Sequence, residues 1–196
     1  KRDEALTLQT ALPDDEPLAP WVSYRYKIYM PDNDPSAQIL SIDLVDEDAT
    51  ISLATRLCGQ LQQGDVVALS GDLGAGKTAF ARAFIQALGK IQGTPIDEVP
   101  SPTFTIVQIY DELDPPVWHV DLYRLEDRAE AFELGLEEAF EDGITLIEWP
   151  DRLADTLPVD HLALTFQMGP TEGTRTALFS GHGTWAKKLT SLEIGT

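Results

Sequence analysis

A short apolar run, Val66-Val67-Ala68-Leu69, leads into Gly71-Asp72-Leu73-Gly74-Ala75-Gly76-Lys77-Thr78, and a helical pattern follows. No other stretch limits the possible folds as much. The eight residues match G-x-x-x-x-G-K-[ST] in full, with the buried strand before and the helix after that phosphate binding needs. Gly71, Gly74 and Gly76 permit backbone conformations closed to other residues, so consecutive N–H groups can converge on one anion. The helix N-terminus adds partial positive charge. Lys77 is placed to reach the β- and γ-phosphates of a nucleotide, and the Thr78 hydroxyl to ligate Mg²⁺.

The rest of the chain alternates strand and helix patterns, which predicts a three-layer α/β, P-loop NTPase-like domain with a central, largely parallel sheet and an antiparallel C-terminal extension. Ile39 to Val45 reads as a strand. Asp46-Glu47-Asp48 then precedes Ile51, Ala54, Leu57, Cys58 and Leu61 at helical spacing, with Gly64 placed to cap. A second helix is expected from Lys77 to Leu88, stopped at Gly89. Phe104 to Tyr110, Val117 to Val120 and Ile144 to Ile147 are further strand candidates. Between the last two, Ala129, Phe132, Leu136 and Phe140 fall at helical intervals, with Gly135 a possible break. His161 to Gln167 and Thr174 to Ser180 look like a closing hairpin through Gly169-Pro170.

These patterns set a domain at 39–185, a C-terminal tail at 186–196 and an acidic, proline-rich extension at 1–38. The extension holds five of the thirteen prolines and buries little. Within it, Trp21 to Met30 carries enough aromatic residues for a short strand or an adhesive patch.

Charge narrows the partners. Fourteen Lys and Arg against thirty-three Asp and Glu leave a net charge of −19. Direct binding of nucleic acid rests on neutralising phosphates with Lys and Arg, so none is expected. Docking on anionic membranes is disfavoured for the same reason, and no apolar run approaches the ~20 residues that span a bilayer. Lys1-Arg2-Asp3-Glu4 leads into no hydrophobic stretch, so it does not read as a secretory signal. Without an initiating Met, the chain is expected to start within a longer product or after processing. The single Cys58 allows no intramolecular disulfide and fits a reducing cytoplasm; in a helical pattern it reads as a small core side chain.

P-loop enzymes hold Mg²⁺ with an acid at the end of a second apolar strand. Two candidates stand here. Val117-Trp118-His119-Val120 ends at Asp121, and Ile144-Thr145-Leu146-Ile147 ends at Glu148. His119 is either a satisfied structural imidazole or a group acting near the phosphates.

The cradle, Ser101-Pro102-Thr103-Phe104-Thr105, His119-Val120-Asp121-Leu122-Tyr123-Arg124, Leu134-Gly135-Leu136 and Ile147-Glu148-Trp149-Pro150 occur in this order. Together they resemble the TsaE (YjeE) ATPases over roughly residues 39–182. The resemblance implies a small ATPase required for threonylcarbamoyladenosine formation in bacterial tRNA. It would work with TsaB and TsaD, using ATP and Mg²⁺ to reset that complex between rounds while meeting tRNA only through it. Lys77, Asp121 and Glu148 would be the catalytic residues. Thr78 and Glu148 would bind Mg²⁺, and Asp121 would orient water or act as a switch, remaining a second candidate for the metal. Ser101 to Thr105, with Thr103, would form a mobile loop near the γ-phosphate. Glu47 and Thr50 would border the base, and Arg175 would approach the nucleotide. The extension before residue 39 and Asp114-Pro115-Pro116 depart from the family pattern. Trp149-Pro150 reads as core packing or as part of the site, and Arg124 and Arg152 as cationic fingers or partners of nearby acids.

Other functions are weighed by what they lack. A GTPase of the usual kind needs Asn-Lys-x-Asp, and Asn33 is the only asparagine. A small-molecule kinase needs an acceptor pocket and an arginine-bearing lid, which the eight arginines do not suggest. A nucleotide-gated binding module, in which occupancy rather than turnover controls a partner, stays open. Residues 111–155 hold fifteen Asp and Glu but only Arg124, Arg128 and Arg152. That face is either solvated or a docking surface for basic partner subunits.

Overall fold

The computed structural model describes residues 26–29, 39–125, 130–131 and 133–192. Its strands are β1 (Tyr26–Tyr29), β2 (Ile39–Leu44), β3 (Val66–Ser70), β4 (Val107–Tyr110), β5 (Val117–Asp121), β6 (Ile144–Glu148), β7 (Leu162–Met168) and β8 (Arg175–Gly181). The helices are α1 (Glu47–Cys58), α2 (Lys77–Gln92), α3 (Leu136–Asp142) and α4 (Trp185–Lys188). Among the described residues the strands form one sheet in the order β1-β2-β8-β7-β3-β6-β5-β4.

The sheet is mixed. Its centre, β7-β3-β6-β5, is parallel. The expected hairpin of β7 and β8 continues antiparallel through β2 to β1, and β4 runs antiparallel on the opposite edge. Parallel centre strands are buried on both faces, and β3 shows why an unbroken apolar run is required there. Val67 and Leu69 join the core under α1 and α2, whereas Val66 joins Trp118, Val120, Ile147 and Leu136 of α3 on the other face. Helices on both faces make three layers.

Several boundaries differ from the sequence expectation, each for a local reason. The Asp46 side chain accepts from the Ala49 N–H at 2.8 Å and starts α1. The helix is capped at Gly59 rather than Gly64, whose N–H instead donates to the Gly143 carbonyl at 2.8 Å. α2 runs through Gly89 to Gly93. Gly89 serves a close approach, because a Cβ there would lie 2.6 Å from the Thr94 carbonyl oxygen. β4 begins at Val107, since Phe104 to Ile106 belong to a turn closed by Ile106 N–H donating to the Pro102 carbonyl at 2.6 Å. Of the interval residues, Ala129 and Phe132 lie outside the described residues, whereas Leu136 and Phe140 belong to α3 and Gly135 flanks its start.

Of Trp21 to Met30, Tyr26–Tyr29 are described and pair with β2. At the other end, Trp185 and Leu189 pack into the core beneath α1 and α2, so the expected boundary at residue 185 falls within α4. Lys188 secures that helix by an ion pair with the buried Asp65, at 3.0 Å, just before β3.

Candidate nucleotide site

The glycine-rich turn joins β3 to α2 at the carboxyl end of the parallel strands, where ligands collect in open α/β sheets. Gly71 has φ 132°, and a Cβ at this position would overlap the Phe166 carbonyl oxygen of β7. The turn therefore lies against its neighbouring strand more closely than any side chain allows. Gly76, at φ 117°, then starts α2 without a side-chain cap, leaving the first N–H groups of the helix open to an anion.

Lys77 is 4% exposed. Its Nζ donates to the carbonyls of Gly71 at 2.6 Å and Asp72 at 2.9 Å, and lies 4.0 Å from the centre of the Trp149 ring. Burial lowers the Lys77 pKa from its ordinary value, opposed by the charges of Glu148, Asp121 and Asp72.

β5 and β6 are paired in parallel with Asp121 opposite Glu148, so both carboxylates emerge side by side. Strand alternation turns His119, Asp121 and Glu148 toward α2, the face on which Val117, Ile144 and Leu146 are buried. Thr78, in the first turn of α2, donates to Glu148 Oε2 at 2.8 Å. His119 Nε2 meets Glu148 Oε1 at 2.9 Å. Asp121 Oδ2 accepts from Thr103 Oγ1 at 2.6 Å, and Oδ1 from the Tyr123 N–H at 3.0 Å. Ser101 Oγ lies 2.8 Å from Thr103 Oγ1, which ties the 101–105 segment to the same carboxylate.

Lys77, Thr78, Thr103, Asp121 and Glu148 line a cleft of about 280 Å³, together with Leu73, Gly74, Gly76, Ala79, Tyr123 and Trp149. The sequence motif includes Tyr123 without assigning it a role, and leaves Trp149 open between core and site. Their rings pack at 5.0 Å, and both line the cleft. Trp149 holds a left-handed backbone (φ 60°), as does the β-branched Ile106 (φ 65°) at the end of the 101–105 segment. Such conformations cost about 1–3 kcal/mol each and persist only where surrounding structure enforces them.

Of the expected nucleotide contacts outside the turn, Arg175, Glu47 and Thr50 do not line this cleft. Arg175 stands behind the turn, donating from Nε to the Ala75 carbonyl at 3.2 Å and from Nη2 to that of Gly74 at 3.4 Å. Glu47 and Thr50 lie in α1, directly after β2, whose last residue Leu44 pairs with Arg175. Thr50 is buried and Glu47 exposed, and neither is among the residues that line the cleft. Arg124 sits 4.3 Å over the ring of the exposed Phe104. Among the described residues no helix is long and apolar enough to cross a membrane.

Residues 44–177 match the family model for the threonylcarbamoyl adenosine biosynthesis protein TsaE. Relatives named tRNA threonylcarbamoyladenosine biosynthesis protein TsaE include one from Bacillus subtilis, 38% identical over 124 residues, which span 63% of this chain and 74% of the relative. One from a Nostoc species is 43% identical over 122 residues, 59% of this chain and 71% of the relative. One from Mycobacterium bovis is 36% identical over 140 residues, 67% of this chain and 80% of the relative. A crystal structure of Bacillus subtilis YdiB superposes with a TM-score of 0.65 at 29% identity, covering 80% of this chain and 95% of that one.

Proposed function

The chain belongs to the TsaE family, and on that premise we propose that it is a cytoplasmic, Mg²⁺-dependent ATP-binding and ATP-hydrolysing protein of tRNA threonylcarbamoyladenosine biosynthesis, whose nucleotide cycle resets a TsaB–TsaD transferase. The observation that carries this reading is the convergence of Lys77, Thr78, Glu148 and Asp121 on one cleft at the phosphate turn.

The donor set suits the metal. Thr78 and Glu148 bring a hydroxyl and a carboxylate oxygen to 2.8 Å of each other, with Asp121 on the next strand. Mg²⁺ favours hard oxygen ligands, and keeps several waters while taking other oxygens from substrate phosphates. Thr78 and Glu148 would hold it, with Asp121 as the further candidate. When bound, Mg²⁺ would neutralise charge developing on the phosphate oxygens.

The chain's own groups would do the rest. Lys77 would exchange its two carbonyl partners for phosphate oxygens, and the turn's N–H groups would cradle the β-phosphate. Asp121, held by Thr103 and the Tyr123 N–H, would orient the attacking water. Among the described residues no arginine lines the cleft. Turnover by the chain alone would therefore be slow, with the completing cation supplied by a partner. A second reading draws support from the Thr103–Asp121 bond. Through it, ATP occupancy could set the 101–105 segment and so control a partner without turnover.

The test is an ATP titration with and without EDTA, followed by phosphate release with and without TsaB–TsaD. Saturable binding that weakens by roughly tenfold or more without Mg²⁺, and release stimulated by the partners, are expected. Undiminished tight binding in EDTA, or no binding at millimolar ATP with Mg²⁺, would overturn the reading.

A further inference from the structure

His119 is the one buried histidine of the site region, with no exposed surface. Its ring sits in the middle of β5, paired with Leu146, while Glu148 is paired with Asp121 two residues further along. His119 and Glu148 are thus diagonal neighbours on one face of the sheet. Nε2 lies 2.9 Å from Glu148 Oε1. Nδ1 is buried and, among the described residues, has no hydrogen-bond partner. A buried polar atom without a partner is rare and calls for an explanation. Among the described residues, Nε2 therefore makes the ring's one hydrogen bond.

We propose that His119 is the positioning residue for Glu148: it clamps Oε1, so that Oε2 alone is turned toward Thr78 and the cation they would share. An ionised carboxylate only accepts hydrogen bonds, so Nε2 carries the proton that makes this contact. Glu148 has three side-chain torsions, and among the described residues no other group hydrogen-bonds Oε1. With Oε1 engaged by the imidazole and Oε2 by Thr78, the carboxylate is set before any ligand arrives. Mg²⁺ demands near-ideal octahedral geometry, so a carboxylate free to rotate or to bind through both oxygens would hold it poorly. Groups that orient metal ligands commonly change metal affinity by about 10–100-fold when removed.

The proposal rests on the nucleotide reading, and the experiment separates the two. Mn²⁺ binding to the ADP-loaded protein is followed by electron paramagnetic resonance, and ADP binding in EDTA is measured alongside. His119→Leu is expected to weaken Mn²⁺ by roughly tenfold or more, with metal-free ADP affinity changed by less than about threefold. Because Nδ1 has no partner, His119→Gln, whose amide nitrogen can replace Nε2, is expected to restore Mn²⁺ binding. His119→Asn, whose amide nitrogen falls at the Nδ1 position, is not. A folded His119→Leu with wild-type Mn²⁺ affinity overturns the proposal, as does equal behaviour of Gln and Asn. If these variants do not fold, the wild type decides: long-range ¹⁵N–¹H spectra are expected to show the His119 proton on Nε2 with and without ADP and Mg²⁺. A proton on Nδ1 alone overturns the proposal. A wild type that binds no ADP with Mn²⁺ defeats the nucleotide reading instead.

Discussion

Thr78 and Glu148, seventy residues apart in sequence, are joined by a 2.8 Å hydrogen bond from the threonine hydroxyl to the carboxylate. This bond spans from the first turn of α2 to the end of β6. A cation entering between them would exchange one internal contact for two ligand bonds, so the free protein already holds both donors near the required spacing.

Replacing the Glu148 carboxylate by its amide tests that arrangement. Glu148→Gln keeps the shape and a carbonyl acceptor for Thr78 but removes the charge. ATP is expected to bind still, while phosphate release falls by about 10²-fold or more. Lys77→Ala is expected to fail earlier, at binding, by roughly 10–100-fold, the worth of a charge-assisted contact. Isothermal titration and phosphate-release assays on both variants separate the two losses.

The glycines of the turn are expected to differ in their tolerance. A Cβ at Gly71 would collide with backbone of β7, whereas at Gly74 (φ 78°) it would meet nothing within 4 Å. Gly74→Ala should therefore cost only the left-handed penalty of about 1–2 kcal/mol. Gly71→Ala should lower stability further and abolish nucleotide binding, because the turn must move to admit it. Denaturant unfolding with nucleotide titration measures both.

His161 is half-buried, stacked on His182 with ring centres 4.3 Å apart, and bonded through Nδ1 to the Pro158 carbonyl at 2.7 Å. Burial holds its pKa below the ordinary value, against the pull of that bond, and the neighbouring His182 adds to the lowering. The unfolded chain then takes up the proton more readily than the folded one. Stability should be full above the ordinary histidine range, near pH 6.5, and decline as pH falls below it. Thermal melts from pH 7.5 down to about 5.5 should show that decline, and a shallower one in His161→Gln.

Cys58 donates weakly to the carbonyls of Ala54 and Phe84, and burial pushes its thiol up to about 12. Because the thiolate is the reactive form, a thiol reagent at pH 8 should label the native protein at least about 10²-fold more slowly than the unfolded chain. Labelling followed with and without denaturant checks this.

Lys188→Met removes one of the two partners that the Asp65 carboxylate has among the described residues and leaves the Gln62 N–H at 2.8 Å. Stability should fall by about 1–2 kcal/mol in denaturant unfolding, with ATP affinity unchanged.

The phosphate turn was legible because its chemistry is local: consecutive residues make both the turn and the helix start. Asp121 and Glu148 were legible too, since apolar strands ending in an acid need only be laid side by side. Less visible was whatever depends on the third dimension. Gly59, Gly64, Gly89 and Gly93 look alike as helix stops, yet Gly89 is present for the approach of Thr94. Phe104-Thr105-Ile106 has strand composition, but Ile106 is held left-handed by the turn that carries Thr103 to Asp121. The antiparallel edge strand β4 and the packing of Tyr123 on Trp149 depend on pairings between elements that no periodicity announces.

The missing side chain at Gly71 reaches beyond its own residue. Turn and β7 occupy one shared volume there, so neither is a transferable part. Grafting this loop onto another sheet would require importing the adjoining strand with its register intact. Conversely, an insertion that shifted Phe166 would remodel the cradle without altering a single residue of it.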